Sequence, residues 1–94
     1  MYYIVARHKV SDYKTWKKGF DSALSIRKAG GEKSFQILRV DNDKNNILLL
    51  FEWDNLKNAR KFFESPELQK AMQQAGVLEK PDVYFLEEID RGRL

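Results

Sequence analysis

Ninety-four residues fit a single domain, residues 1–94, near the lower limit at which one hydrophobic core holds without metals or crosslinks. The chain has no cysteine, which excludes a disulfide framework and a zinc ribbon, and it opens on MYYIVARHKV with no apolar leader and no long apolar span, so a soluble cytoplasmic protein with no membrane contact is expected. Lysine and arginine number 17 against 14 aspartates and glutamates, and a net charge of +3 spread along the chain gives little footprint for nucleic acid.

Tyr2 to Lys9 is rich in β-branched and aromatic residues and predicts a strand. Asp12 then suits the N-cap of a helix running to about Ala29, with Gly30 and Gly31 ending it. Tyr13, Trp16, Phe20, Ala23 and Leu24 recur at three- and four-residue spacing, so one face of that helix is built for a core. Residues 33–40 and 47–53 are two strand-like runs joined by DNDKNN, a turn-forming cluster, and predict a hairpin. Asp54 is placed to cap a second helix carrying Leu56, Ala59 and Phe63, and Ser65-Pro66 reads as an N-cap with proline at the first helical position of a third. Gly76 suits a left-handed terminus, and Pro81 precedes a last strand, DVYFLEEI.

The pattern is βαββαβ with a broken second helix. With right-handed crossovers it predicts an α+β, ferredoxin-like fold: a four-stranded antiparallel sheet with its helices on one face. ILLLF has no polar position and YYIVA has none before Arg7, so both sheet faces need cover. No segment remains for the second face. A homodimer, sheet against sheet, is therefore expected.

HKVSDYKTWKKGFD, followed by RKAGG, FQILRVD, LLFEWDNLKNARKFFESPEL and AGV, resembles the small dimeric α/β-barrel proteins, and among them those grouped with the antibiotic-biosynthesis monooxygenases. The match spans nearly the whole chain. It implies two ferredoxin-like sheets packed into a shared barrel. It does not select an activity, because relatives include cofactor-independent monooxygenases, haem-degrading enzymes and lactone isomerases.

His8, the single histidine, shares strand parity with Tyr2, Ile4 and Ala6. It is the candidate catalytic residue, a general base near neutral pH, and competes with the plainer reading of a hydrogen-bonded strand-end histidine. Asp12 could orient it but serves better as a helix cap. Trp16, Arg39, Trp53 and Tyr84 are candidate substrate-binding residues: two indoles for aromatic walls, a guanidinium and a phenol for an oxyanion. Each has a structural counterpart. Trp16 falls on the core face of its helix, Trp53 needs a partner for its indole N–H if buried, and strand tyrosines commonly pack with a wet tip. Arg39 shares a face with Leu48, Leu50 and Glu52 if the turn closes on Asp41 and Asn46, and with Leu49, Phe51 and Trp53 if it closes one residue looser. Glu87 is the natural ion-pair partner for Arg39 or Arg7.

Gly-rich phosphate loops, metal-ligand spacings and nucleophile motifs do not occur in the sequence. Haem-degrading relatives hold iron through a helical histidine, whereas this histidine lies on the strand side of SDYKTW, so no cofactor is expected. The third strand lacks the basic and stacking residues of an RNA-recognition domain. Two functions stay open: a binder of a small hydrophobic or aromatic metabolite, acting at most as a cofactor-independent monooxygenase-like or isomerase-like enzyme, or a non-enzymatic ligand-binding or self-association module.

Overall fold

The computed structural model describes residues 1–78 and 80–94. Its elements are β1 (Tyr2–Lys9), α1 (Tyr13–Ser22), α2 (Leu24–Gly30), β2 (Glu32–Val40), β3 (Asp43–Trp53), α3 (Leu56–Phe63), α4 (Pro66–Gln74) and β4 (Asp82–Glu87). The sheet order is β2-β3-β1-β4 with every pair antiparallel, so the fold is α+β and ferredoxin-like as the pattern predicts. The last strand stops at Glu87 rather than continuing to Ile89.

The first helix is two helices. Asp12 caps α1, its carboxylate accepting from the Thr15 amide at 3.0 Å and the Thr15 hydroxyl at 2.9 Å, bonds that hold the carboxyl below the ordinary aspartate value. At Ala23 the backbone leaves the helical region (φ −89°, ψ 5°), and α2 ends at Gly31, whose φ of 116° is left-handed. A Cβ on Gly31 would stand 2.8 Å from Trp53 Nε1, so only glycine fits there. The second helix is capped by Asn55, whose side chain accepts from the Asn58 amide at 2.8 Å; Asp54, the expected cap, accepts instead from the Asn55 amide and the Asn58 side chain. Ser65, Pro66 and Gly76 (φ 84°) take the places the sequence assigns them.

The β2–β3 hairpin turns on Asp41 and Asn42 alone, with Asn42 at φ 65° and Val40 facing Asp43. DKNN therefore belongs to β3 and not to the turn. Its polar residues are strand because they pair: Lys9 faces Asn46, and the Val10 amide donates to the Asn45 carbonyl at 2.9 Å. A bulge between Arg39 and Val40 absorbs the slip and sets Arg39 opposite Ile47, which decides its face. Arg39 lies with Leu49, Phe51 and Trp53.

One face of the sheet carries the core. Ile4, Ala6, Ile47, Leu49, Phe51 and Trp53 are buried there beneath Trp16 and Phe20 of α1 and Ala59 of α3. The other face presents Tyr3, Val5, Leu38, Leu48, Leu50, Tyr84 and Leu86, and among the described residues no helix covers it. Leu38 is 46% exposed, Tyr84 62% and Leu86 40%, so a largely apolar surface meets solvent in the single chain. Among the described residues no helix is long and apolar enough to cross a membrane.

Candidate functional site

Strand parity builds the floor of the site. Ile4, Ala6 and His8 point from β1 toward the helices, as do Leu49 and Phe51 from β3 and Val83 and Phe85 from β4. The helices do not close down on this floor. They leave a cavity of about 580 Å³ lined by Ala6, His8, Leu49, Phe51, Val83 and Phe85 below and by Trp16, Phe20, Phe63 and Met72 around it. That volume lies within the range of small-molecule sites, roughly 300–1,000 Å³.

His8 is 3% exposed and lies opposite Ile47 toward the end of β1. Trp16 meets its ring edge-on with the centroids 5.6 Å apart. The chain after α4 fastens this end of the cavity to β1. Ser11 N–H donates to the Gly76 carbonyl and Leu78 N–H to the Lys9 carbonyl, both at 2.9 Å, and Val10 pairs with Val77. Gly19 approaches so closely that a Cβ there would lie 3.1 Å from the Ala75 Cβ, which brings α1 against the exit of α4. Lys80 and Pro81 complete the lining on that side.

Of the residues singled out from sequence, the structure brings His8 and Trp16 together on the cavity. Trp53 is 1% exposed and anchors the fold: its Nε1–H donates to the Gly30 carbonyl at 2.9 Å, and its ring packs on Phe62 and Phe63. Arg39 is exposed on the edge strand with its guanidinium 5.5 Å from the Tyr13 ring centroid. Tyr84 lies on the uncovered sheet face. None of these three lines the cavity. Arg7 pairs with Asp82 at 2.7 Å and donates to Asn46 at 2.9 Å; Glu87, its expected partner, faces Tyr2 at the far end of β1.

Arg27 is a buried charged lining residue that sequence reading passed over. It is 4% exposed, its Nε contacts the Glu32 carboxylate at 3.1 and 3.2 Å, its Nη1 donates to the Phe20 carbonyl at 2.6 Å, and its Cζ lies 3.5 Å from the Phe20 ring centroid. Burial pushes the Glu32 carboxyl up, against the opposing pull of Arg27. One signal did exist in the sequence. Arg27 follows Phe20 by seven residues and so lies on the stripe of Trp16 and Phe20, where a charge is out of place. Among the described residues no three histidine, cysteine, aspartate or glutamate side chains cluster as a metal site.

An imidazole set into an aromatic cavity can exchange a proton with a ligand held flat against the walls. No protein-family model matches this sequence, and no curated protein does. Solved structures match over almost the whole chain. A candidate antibiotic biosynthesis monooxygenase from Bordetella bronchiseptica superposes with a TM-score of 0.75 at 16% identity, covering 94% of this chain and 96% of its own. The fold is that of the antibiotic biosynthesis monooxygenases. A second candidate monooxygenase of this fold, from Nitrosomonas europaea, gives 0.68 at 17% identity over 96% of this chain and 100% of its own. SnoaB from Streptomyces nogalater, a cofactor-independent oxygenase, gives 0.68 at 13% identity over 93% of both chains. The likeness is one of fold and extends over almost the whole chain.

Proposed function

We propose that this chain binds a small, hydrophobic, planar metabolite in the cavity between sheet and helices, and acts on it without a tightly bound cofactor, with His8 as general base and Trp16 as a wall. The observation that supports this reading is a buried imidazole on the floor of a roughly 580 Å³ aromatic cavity. A base so placed suits a ligand with an acidic C–H beside a carbonyl. Returning the proton to another carbon gives an isomerisation with no change in oxidation state. With dioxygen as co-substrate, a CH₂ becomes C=O, one oxygen atom enters the product and the other leaves as water. The likeness to SnoaB favours the second outcome.

The test is oxygen uptake and deuterium exchange with a panel of quinols and enolisable ketones. The wild type is expected to turn over at least one of them, and His8→Gln to lose about 10²-fold or more in rate while still binding it. Binding without exchange or oxygen use would make the protein a carrier or sensor. A cavity that takes up no ligand would leave the second reading, a self-association module of cytoplasmic type, which the uncovered apolar sheet face favours.

A further inference from the structure

The cavity wall has a second pole. Trp16 stacks on Phe20 with the centroids 5.1 Å apart and the planes 27° from parallel, and Arg27 caps the Phe20 ring. His8, Trp16, Phe20 and Arg27 therefore form one continuous row along the wall. The sheet register separates its ends: Glu32, which pairs with Arg27, faces Trp53, and Trp53 faces Tyr2 at the opposite end of β1 from His8.

A guanidinium carries five N–H donors in a planar fork. Among the described residues, the hydrogen bonds of Arg27 are made by Nε and Nη1, and Nη2 keeps its donors uncommitted. An ion pair buried beside aromatic rings is a poor stabiliser, since apolar side chains of similar volume commonly do as well or better. Burial raises the Glu32 carboxyl against the opposing pull of Arg27.

Building on the cavity reading above, we propose that Arg27 is a specificity-determining residue that receives an anionic oxygen at the end of a planar ligand remote from His8, with Nη2 as donor and Glu32 holding the guanidinium side-on. The ligand class is thereby an aromatic acid or phenolate rather than a neutral hydrocarbon. The cation bonds the oxygen, Phe20 and Trp16 take the ring, and the far end of the ligand extends toward the imidazole.

The experiment titrates the wild-type protein with 2-naphthoate and with its neutral counterpart 2-naphthamide, by calorimetry and by NMR of the arginine side chains. The acid is expected to bind about tenfold more tightly and to shift the Arg27 guanidinium resonances; in Arg27→Gln/Glu32→Gln, which removes both buried charges together, the acid and the amide should bind alike. Equal affinities in the wild type, with the amide bound, would overturn the role of Arg27 and leave the cavity reading standing. Failure of both probes to bind would overturn the two together. A preference for the acid that survives in the double variant and vanishes in Lys80→Ala would assign it to the lysine instead. Should the double variant fail to fold, the guanidinium shifts in the wild type decide: unmoved Arg27 resonances at saturating naphthoate overturn the proposal.

Discussion

Glu32 and Arg27 show what a single buried carboxyl does to stability. Because burial outweighs the attraction of the guanidinium, the Glu32 carboxyl lies above the ordinary glutamate value in the folded protein. The folded state then holds this proton more tightly than the unfolded chain does. Its contribution to stability is greatest below the ordinary value and declines as pH rises through the folded one. Urea unfolding across that window should show the wild type losing stability relative to Glu32→Gln, with a difference in slope of at most about 1.4 kcal/mol per pH unit. Parallel curves would mean an unshifted carboxyl. The residue scale is also where sequence reading succeeds and fails most visibly. A buried Trp53 demands an acceptor for its N–H, and the Gly30 carbonyl supplies it. Arg27 carries a charge on a helix studded with lysines, and only its seven-residue spacing from Phe20 separates it from a solvated neighbour.

Among the elements, β1, the hairpin, the Ser65-Pro66 start of α4 and the Gly76 stop were legible because each rests on local chemistry that tertiary contacts leave alone. The break at Ala23 was not. Apolar spacing runs through it unbroken, and the interruption shows only in the backbone. The extension of β3 through DKNN escaped for the opposite reason, since turn-forming residues become strand when β1 offers partners for their backbone. Caps make a sharper test of the same theme. Asn55→Ala should cost about 1 kcal/mol in urea melts by freeing the Asn58 amide, whereas Asp54→Ala, which removes bonds to the Asn58 side chain and the Asn55 amide but frees no backbone amide within the helix, should cost less. The reverse ranking would return the cap to Asp54.

For the whole molecule, the question is what covers the second sheet face. Its apolar residues from all four strands form a continuous surface, and a second copy of the chain presents the same surface for sheet-to-sheet pairing. We expect a dimer at micromolar concentration in sedimentation. Leu50 lies on that face, opposite Val5 and Gln36, so Leu50→Lys should yield a folded monomer, because a lysine there meets water in the single chain and an apolar wall in the pair. A monomeric wild type would rule out the barrel. The central strand β1 gives this arrangement a further property. Its even-numbered residues face the helices, Ile4 in the core and Ala6 and His8 on the cavity, and its odd-numbered ones, Tyr3, Val5 and Arg7, belong to the outer face. A point substitution in β1 is therefore expected to edit one surface and spare the other. Deleting one residue from the strand would exchange the two sets at a stroke. The same alternation that makes the chain tolerant of replacement makes it intolerant of a change in length.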